Sequence, residues 1–211
     1  MLRRAEEQVL AMVLALARRP QDWATGTVLR PTRAAVERHA PLFFGDALVD
    51  WSGAFARLAR RGLLVEDGEC RLTPGGERLA VRLRRRFLRD GFGGRLVRCD
   101  RSAAYGAFCE RVFGIDLRQF SLLDAAQLDL LLDGLDVRRG HHVLDAGCGS
   151  GRVAEHVART VGARVTGLDL ATPALRLARR RTRDLGDRVC FVTRDLSTAR
   201  RIPGPFDRIL S

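Results

Sequence analysis

A short glycine-rich stretch, D-A-G-C-G-S-G at residues 145–151, holds the residue types best suited to ligand chemistry in this chain. Gly147 and Gly149 have no Cβ, so the backbone there can turn sharply and approach a ligand closely. The carboxylate of Asp145, just ahead of the glycines, would repel a pyrophosphate but could receive a cationic amino-acid head, directly or through water. The stretch therefore indicates a binding turn. The alternative is that the glycines serve only a tight turn.

The elements around this turn follow a recognisable order. An apolar pair, Val143-Leu144, predicts a buried strand before the turn, and residues 152–161 predict a helix after it. A second strand, 165–170, contains Asp169 at its carboxyl end, where a carboxylate can accept hydrogen bonds from both hydroxyls of a ribose. This strand–turn–helix–strand–acid unit is typical of nucleotide-like cofactor sites. The dinucleotide pattern G-x-G-x-x-G fails, because Arg152 occupies its third glycine position.

With this D-x-G-x-G-x-G spacing, residues 101–211 resemble a class I S-adenosylmethionine-dependent methyltransferase. The later segments agree in order: Thr172 and Pro173 cap a second helix, and R-V-C-F-V-T-R-D-L at 188–196 predicts a third strand ending in Asp195. The resemblance implies a Rossmann-like α/β sheet, S-adenosyl-L-methionine as cofactor, and a small-molecule methyl acceptor.

The resemblance also gives each candidate residue a part of the cofactor. Asp145 and the backbone of the turn would hold the methionine part, Asp169 the ribose, and Asp195 with Leu196 the adenine. Residues 101–120 resemble the helix that bacterial small-molecule members lay over the cofactor, where Tyr105 would close the pocket or serve as an ordinary core aromatic. The candidate cofactor-binding residues are Asp145, Gly147, Cys148, Gly149, Gly151, Asp169, Leu170, Asp195, Leu196 and Tyr105.

No catalytic residue is nominated from the sequence. Methyl transfer from a sulfonium is an in-line displacement, so the protein's main task is to hold nucleophile and methyl in line, close together and dry. A general base is needed only for a poorly acidic acceptor. In this family the base, where present, usually comes from loops after the fourth and later strands.

The last apolar run, F-D-R-I-L at 206–210, falls where the family's fourth strand falls in a sheet of seven. We therefore expect an incomplete sheet of about four parallel strands, and a fragment that lacks the acceptor side. We also expect some apolar side chains of the strands to lack covering helices. They are Val143, Val165, Val189 and Ile209.

Residues 1–90 predict a separate, mostly helical domain. Apolar periodicity indicates helices over Leu2–Ala17, Thr32–His39 and Val49–Arg61, and a hairpin around Asp67-Gly68 follows. Three helices and a hairpin resemble a winged-helix domain. An amphipathic basic helix, Glu77–Arg89, should then link the halves and end at the Asp90–Gly94 glycine cluster, where we place the domain boundary.

The charges of this domain are compatible with two functions, DNA binding and a scaffold role. A DNA reader would put basic side chains of the third helix into the major groove, but the hairpin tip is acidic where a wing should grip phosphate. We therefore favour a scaffold for homodimerisation or a substrate-side cap, without sequence-specific nucleic-acid contacts. The alternative is a winged-helix regulator whose second domain senses the cofactor without catalysis. The residues concerned are Arg57, Arg60 and Arg61 on the helix, and Glu66, Asp67 and Glu69 at the tip.

Composition sets the remaining expectations. The net charge is +12 and all 37 basic residues are Arg, which predicts nonspecific attraction of anions. The five cysteines form no C-x-x-C pair, so they indicate reduced thiols in a cytoplasmic protein and no metal site. The apolar segment Val9–Ala17 is too short to cross a bilayer and should be a core helix, with no membrane partner.

Overall fold

Helices dominate the first part of the chain, and a parallel sheet dominates the second. The computed structural model describes residues 1–18, 28–44, 51–197, 202 and 204–211. These residues form two compact units, Met1–Arg86 and Phe87–Ser211. The assignment of a separate function to each unit stays a prediction.

The first unit contains the three predicted helices and the predicted hairpin. The hairpin strands pair antiparallel, with Val65 opposite Arg71. Residues 49 and 50, at the start of the predicted third helix, lie outside the described residues. The winged-helix interpretation of this order stays a prediction. The elements are α1 (Arg4–Arg18), α2 (Arg33–Phe44), α3 (Ser52–Arg60), β1 (Leu64–Glu66), β2 (Cys70–Leu72) and α4 (Pro74–Arg86).

Helix α1 is the centre of this unit, as the apolar run of the sequence predicts. Val9 and Leu10 are fully buried and share one core with Phe55 and Leu58 of α3. Its apolar side chains thus pack on protein. Within the described residues, none of the helices has the length and hydropathy that crossing a bilayer requires.

A buried carboxylate ties α1 to α3. The Glu6 side chain is 2% exposed, and its carboxylate accepts hydrogen bonds from Arg57 Nε at 2.6 Å and Arg61 Nη1 at 3.3 Å. Burial acts to raise the pKa of Glu6, but the Arg3 amide and the two guanidinium groups outweigh it and leave the pKa below its usual value. Two of the three basic residues considered for DNA contact are therefore used inside the unit.

The acidic hairpin tip is neutralised in the same way. Arg33 holds Glu66 through two parallel bonds of 2.7 Å, Arg30 lies 3.1 Å from Glu69, and Arg71 pairs with Asp67. The bidentate Arg33–Glu66 geometry is the strongest form of this contact. The tip acids thus help fasten β1 and β2 to the rest of the unit.

The predicted helix break at the glycine cluster Asp90–Gly94 is wrong. Residues Phe87–Phe92 form a π-helical segment, and α5 (Gly93–Arg101) follows it directly. A Cβ added at Gly93 would lie 3.1 Å from Pro173 Cδ, so this glycine permits a close approach and does not end the helix. A single helical glycine costs only about 1 kcal/mol, which such packing can offset.

The second unit is built around a four-stranded parallel sheet, as the sequence predicts. Its strand order is β5-β4-β3-β6, with β3 and β4 at the centre. The order reverses direction at β3, because β4 lies on one side of it and β6 on the other. Besides α5, the elements are α6 (Ala103–Phe113), α7 (Ala125–Gly134), β3 (His142–Ala146), α8 (Arg152–Thr160), β4 (Arg164–Asp169), α9 (Thr172–Arg181), a 3₁₀ segment (Arg183–Arg188), β5 (Val189–Thr193) and β6 (Arg208–Leu210).

The expectation of uncovered strand faces is wrong for three of its four residues. Val143 and Val165 are fully buried, and Val189 is 9% exposed. They share one core with side chains of α7 and α8, including Leu128 and Val157, which supply the cover. Ile209 on β6 is 57% exposed, as expected.

We predict that Glu6→Gln lowers the free energy of unfolding of the first unit by about 1–3 kcal/mol, because it removes the charge between two partly exposed guanidinium groups. Both tryptophans, Trp23 and Trp51, lie in this part of the sequence, so their fluorescence during urea unfolding reports on it. Since the pKa of Glu6 is lowered, the stabilisation is present above about pH 4.5 and fades as the pH falls.

The matched control is Glu77→Gln. Glu77 pairs with Arg18 at 3.4 Å, and both side chains are about half exposed, so we expect a loss under about 0.5 kcal/mol. Equal unfolding midpoints for the two variants would contradict the role given to Glu6.

Candidate cofactor site

The glycine turn leaves the central strand of the second unit at its carboxyl end. Strands β3 and β4 run parallel, so the ends that carry Asp145 and Asp169 lie at the same edge of the sheet. The chain reverses the strand order at β3, and ligands of such sheets bind in the crevice outside this point. The amides of Gly147 and Cys148 donate to Leu168 O at 2.8 and 3.0 Å, which fixes the turn against β4.

Asp169 joins the turn to the end of β4. Its Oδ2 accepts a hydrogen bond of 2.8 Å from the amide of Gly149, and its Oδ1 accepts one of 2.7 Å from the amide of Ala171. The carboxylate still borders the cavity described below. The structure thus brings together the two parts of the motif that the sequence separates by about twenty residues.

Asp145 is buried beneath the turn, and one oxygen of its carboxylate can still accept a hydrogen bond. Its Oδ2 has no hydrogen-bond partner among the described residues, and its residue is 6% exposed. Burial, helped by the nearby charge of Asp169, raises the pKa of Asp145 to about 7. A cationic group brought near it would favour the ionised form, so the orphaned oxygen suits a ligand with an ammonium group.

Gly151 has a packing role in this structure. Its φ is +71°, and an added Cβ would lie 2.5 Å from Phe191 and 2.9 Å from Ala178. It precedes the first residue of α8, so only glycine lets this helix begin so close to β5 and α9.

A cavity of about 290 Å³ opens above the turn, within the second unit. Its floor comes from the turn and Asp169, and its wall comes from residues that precede the sheet in sequence. Four predicted site residues border it, namely Gly147, Cys148, Gly149 and Asp169. The wall residues are Phe92, Leu96, Leu117, Arg118, Gln119, Phe120 and Ser121, and the floor also includes Ser150, Arg152 and Val153.

The other six predicted residues do not border this cavity. Leu170 is half-buried after β4, and Leu196 is 39% exposed. Asp195 Oδ1 accepts from the Ser197 amide at 3.1 Å and the Ser197 hydroxyl at 2.6 Å. The cofactor roles of these three residues, and of Asp145, Gly151 and Tyr105, stay predictions.

Tyr105 lies behind the cavity wall and packs against Phe120, which is part of that wall. Its ring centroid is 5.9 Å from that of Phe120, which borders the cavity and in turn packs edge-on against Phe92 at 5.5 Å. The Tyr105 hydroxyl donates to Gln119 O at 2.8 Å, and burial raises the pKa of this phenol. Tyr105 therefore supports the wall through Phe120.

Sequence reasoning missed most of this wall. Phe92 lies within the wrongly predicted helix break and Leu96 follows it, while Arg118 and Gln119 lie in a loop without periodicity. Arg118 adopts φ +47°, uncommon for a residue with a Cβ, and its guanidinium donates to the Cys99 and Ser102 carbonyls and to Asp116. No sequence pattern predicts this backbone conformation or these contacts of Arg118.

The parallel sheet, the glycine turn and the acid at the end of β4 define a Rossmann-like cofactor-binding domain. Residues 143–211 match a family model described as "Methyltransferase domain". Methyltransferase GfsG of Streptomyces halstedii is 45% identical over 84 residues, which are 37% of this chain and 29% of that protein. Ubiquinone biosynthesis O-methyltransferase of Paracidovorax citrulli is 53% identical over 47 residues, 22% of this chain and 19% of that protein.

A solved S-adenosylmethionine-dependent methyltransferase from Thiobacillus denitrificans, in complex with S-adenosyl-L-homocysteine, is 36% identical, with a TM-score of 0.30 over 34% of this chain and 29% of that one. The chain spans less than a third of the length of these relatives. Over residues 143–211 the chain is therefore similar to S-adenosylmethionine-dependent methyltransferases, whose cofactor is S-adenosylmethionine.

We predict that the stability of the second unit falls as the pH rises from about 4 to 7, because a buried carboxyl with a raised pKa binds a proton more tightly in the folded state. Asp145→Asn should abolish most of this slope and raise stability at pH 8 by about 1–3 kcal/mol, since no charge is then buried. Hydrogen–deuterium exchange of the β3 amides measures it.

Asp187→Asn, at an exposed acid of the same unit, is the control and should keep the wild-type slope. If the stability of Asp145→Asn depends on pH as strongly as that of the wild type, another group is responsible for the pH dependence.

Proposed function

We propose that the chain binds S-adenosylmethionine in the cavity above the glycine turn and serves the methylation of a small molecule. The hydrogen bond of 2.8 Å from the Gly149 amide to Asp169 carries the proposal. It places the turn and the ribose-type acid at one rim of one cavity, which is the arrangement that the family resemblance requires. The orphaned Oδ2 of Asp145 supports a ligand with a cationic head.

Each site residue is proposed to bind the part of the cofactor that the sequence interpretation assigns to it. The backbone of Gly147, Cys148 and Gly149 faces the methionine part, with Asp145 beneath it as the counter-charge of its ammonium group. Asp169 keeps lone pairs for the ribose hydroxyls while it accepts from the two amides. Asp195 and Leu196 receive the adenine, beside Leu170. Gly151 supports the turn through its packing.

S-adenosylmethionine, when bound, supplies a methyl group on a sulfonium that is already reactive. The protein's contribution is to hold the reaction site in line and to exclude water. Phe92, Leu96 and Phe120 give the cavity an apolar wall suited to that exclusion. We assign no general base to the site.

The acceptor side is proposed to lie along the same wall. Phe120 is 43% exposed and Phe108 is 49% exposed, and both pack on Tyr105, so an aromatic surface continues outward from the cavity. A small molecule with an apolar body would fit such a surface better than a charged one.

We further propose a cytoplasmic protein without sequence-specific nucleic-acid contacts, in which residues 1–90 serve homodimerisation or cover the substrate side. The five free thiols and the internal ion pairs of Arg57 and Arg61 support this reading. The winged-helix regulator is not favoured, because the family comparisons describe enzymes.

We predict that Asp169→Ala weakens S-adenosylhomocysteine binding by about 1–3 kcal/mol, a rise in Kd of about 5- to 150-fold, because charge-assisted hydrogen bonds are lost. Isothermal titration calorimetry measures it. Asp187→Ala, an exposed acid of the same domain, should bind like wild type. Unchanged affinity in Asp169→Ala, or tight binding of NAD by the wild-type protein, would refute the assignment.

We predict that any binding to duplex DNA is equal across random sequences and falls steeply between 50 and 200 mM salt, roughly as expected for phosphate contacts alone. Gel-shift titrations at the two salt concentrations measure both properties. A footprint at one defined site that disappears in Arg60→Ala, the exposed arginine of α3, would support the regulator instead.

A further inference from the structure

A buried carboxylate outside the sequence motif lies at the centre of an ion-pair network. The Asp100 side chain, at the end of α5, is 5% exposed. Its Oδ1 accepts from Arg152 Nε at 2.7 Å and from Arg181 Nη1 at 3.2 Å. A buried carboxylate needs such partners, and removing one would leave an uncompensated charge.

The network continues to the surface with alternating charges. Arg181 Nε also pairs with Glu155, Glu155 accepts from Arg159 Nε at 3.1 Å, and Arg159 Nη1 lies 2.7 Å from Asp184. The inner side chains are largely buried, with Arg181 17% and Glu155 13% exposed, whereas Arg159 is 42% and Asp184 59% exposed. We call these residues the Asp100 network: Arg152, Asp100, Arg181, Glu155, Arg159 and Asp184.

The inner end of the network reaches the glycine turn. Arg181 Nη2 donates a hydrogen bond of 2.7 Å to the backbone carbonyl of Ser150, a buried residue in the middle of that turn. The neighbouring Gly149 is held from the other side by Asp169. The turn is therefore held by two side chains, of which the motif supplies only one.

Helix α5 is fastened to the domain at the same place. Leu96, which borders the cavity, packs in one cluster with Ala171 and Ala174, and Gly93 lies close against Pro173. Asp100 therefore links the cavity wall to the turn, through Arg181 on one side and Arg152 on the other.

We propose that Asp100 and Arg181 are positioning residues of the cofactor site, which hold the glycine turn in the conformation that receives the amino-acid end of the cofactor. The proposal rests on the proposed function. It states that Asp100 and Arg181, which lie outside the motif, contribute to the affinity for the amino-acid end of the cofactor. Asp100 acts through Arg181, and Arg181 acts through the carbonyl of Ser150. Neither is expected to touch the reacting atoms.

The test compares two ligands that differ in the amino-acid end. S-adenosylhomocysteine carries it, whereas 5′-methylthioadenosine keeps the nucleoside and the sulfur and lacks it. Arg181→Lys keeps the charge, but one ammonium cannot serve Asp100, Glu155 and the Ser150 carbonyl together. We expect its Kd for S-adenosylhomocysteine to rise about tenfold, while its Kd for 5′-methylthioadenosine changes less than about twofold.

Asp100→Asn should show the same selective loss. Asp184→Asn is the matched control, because it breaks the exposed end of the same network, and it should leave both affinities unchanged. Hydrogen exchange without ligand gives a second readout: the amides of Gly149 and Ser150 should exchange faster in Arg181→Lys, while those of β5 keep their rate. If Asp100→Asn does not fold, Arg181→Lys alone decides the matter.

Three results would overturn the proposal. Equal weakening of both ligands in Arg181→Lys, or no weakening, would show a general structural role and would leave the proposed function intact. If the wild-type protein binds neither ligand, the proposed function fails together with this inference.

Discussion

The hydrogen bond between the Gly149 amide and the Asp169 carboxylate is the contact on which the site depends. It can form only because β3 and β4 run parallel and end at the same edge of the sheet. A turn with positive φ at its glycines then brings an amide, and not a side chain, toward the carboxylate. The cavity floor is thus a product of sheet topology and of residues that lack a Cβ.

The protein treats its buried carboxylates in two ways. Glu6 and Asp100 each receive two guanidinium groups, which compensate the cost of burying a charge and tie helices together. Among the residues that the structure describes, none partners the Oδ2 of Asp145, and the pKa of this carboxyl is raised to about 7. The first two carboxylates are paired inside the protein, whereas the third keeps an oxygen that can still accept a hydrogen bond, at the place where the methyltransferase resemblance implies a counter-charge for the cofactor.

The arginine-rich composition has a structural use as well as an electrostatic one. Arg33, Arg57 and Arg181 each bond to an acid on another element, and Arg181 and Arg118 also donate to backbone carbonyls. Arginine can do this because its planar group offers five donors in a fixed arrangement. A net charge of +12 is therefore a poor guide to how much basic surface is free to bind an anion.

The sequence by itself determined the strand–turn–helix–strand unit, the parallel sheet and the resemblance to methyltransferases, because the spacing of Asp145, the glycines and Asp169 follows from local backbone geometry. It also predicted the helices and the hairpin of the first unit from periodicity and turn residues.

The sequence placed the helix break at Asp90–Gly94 wrongly, since the packing that makes a glycine useful there comes from Pro173, some eighty residues away. Only the tertiary structure decided the cavity wall, the position of Tyr105 behind Phe120, and the pairing of Asp100 with Arg152 and Arg181. These are contacts between segments 15 to 80 residues apart, and no local pattern encodes which distant side chain a buried charge or ring will meet.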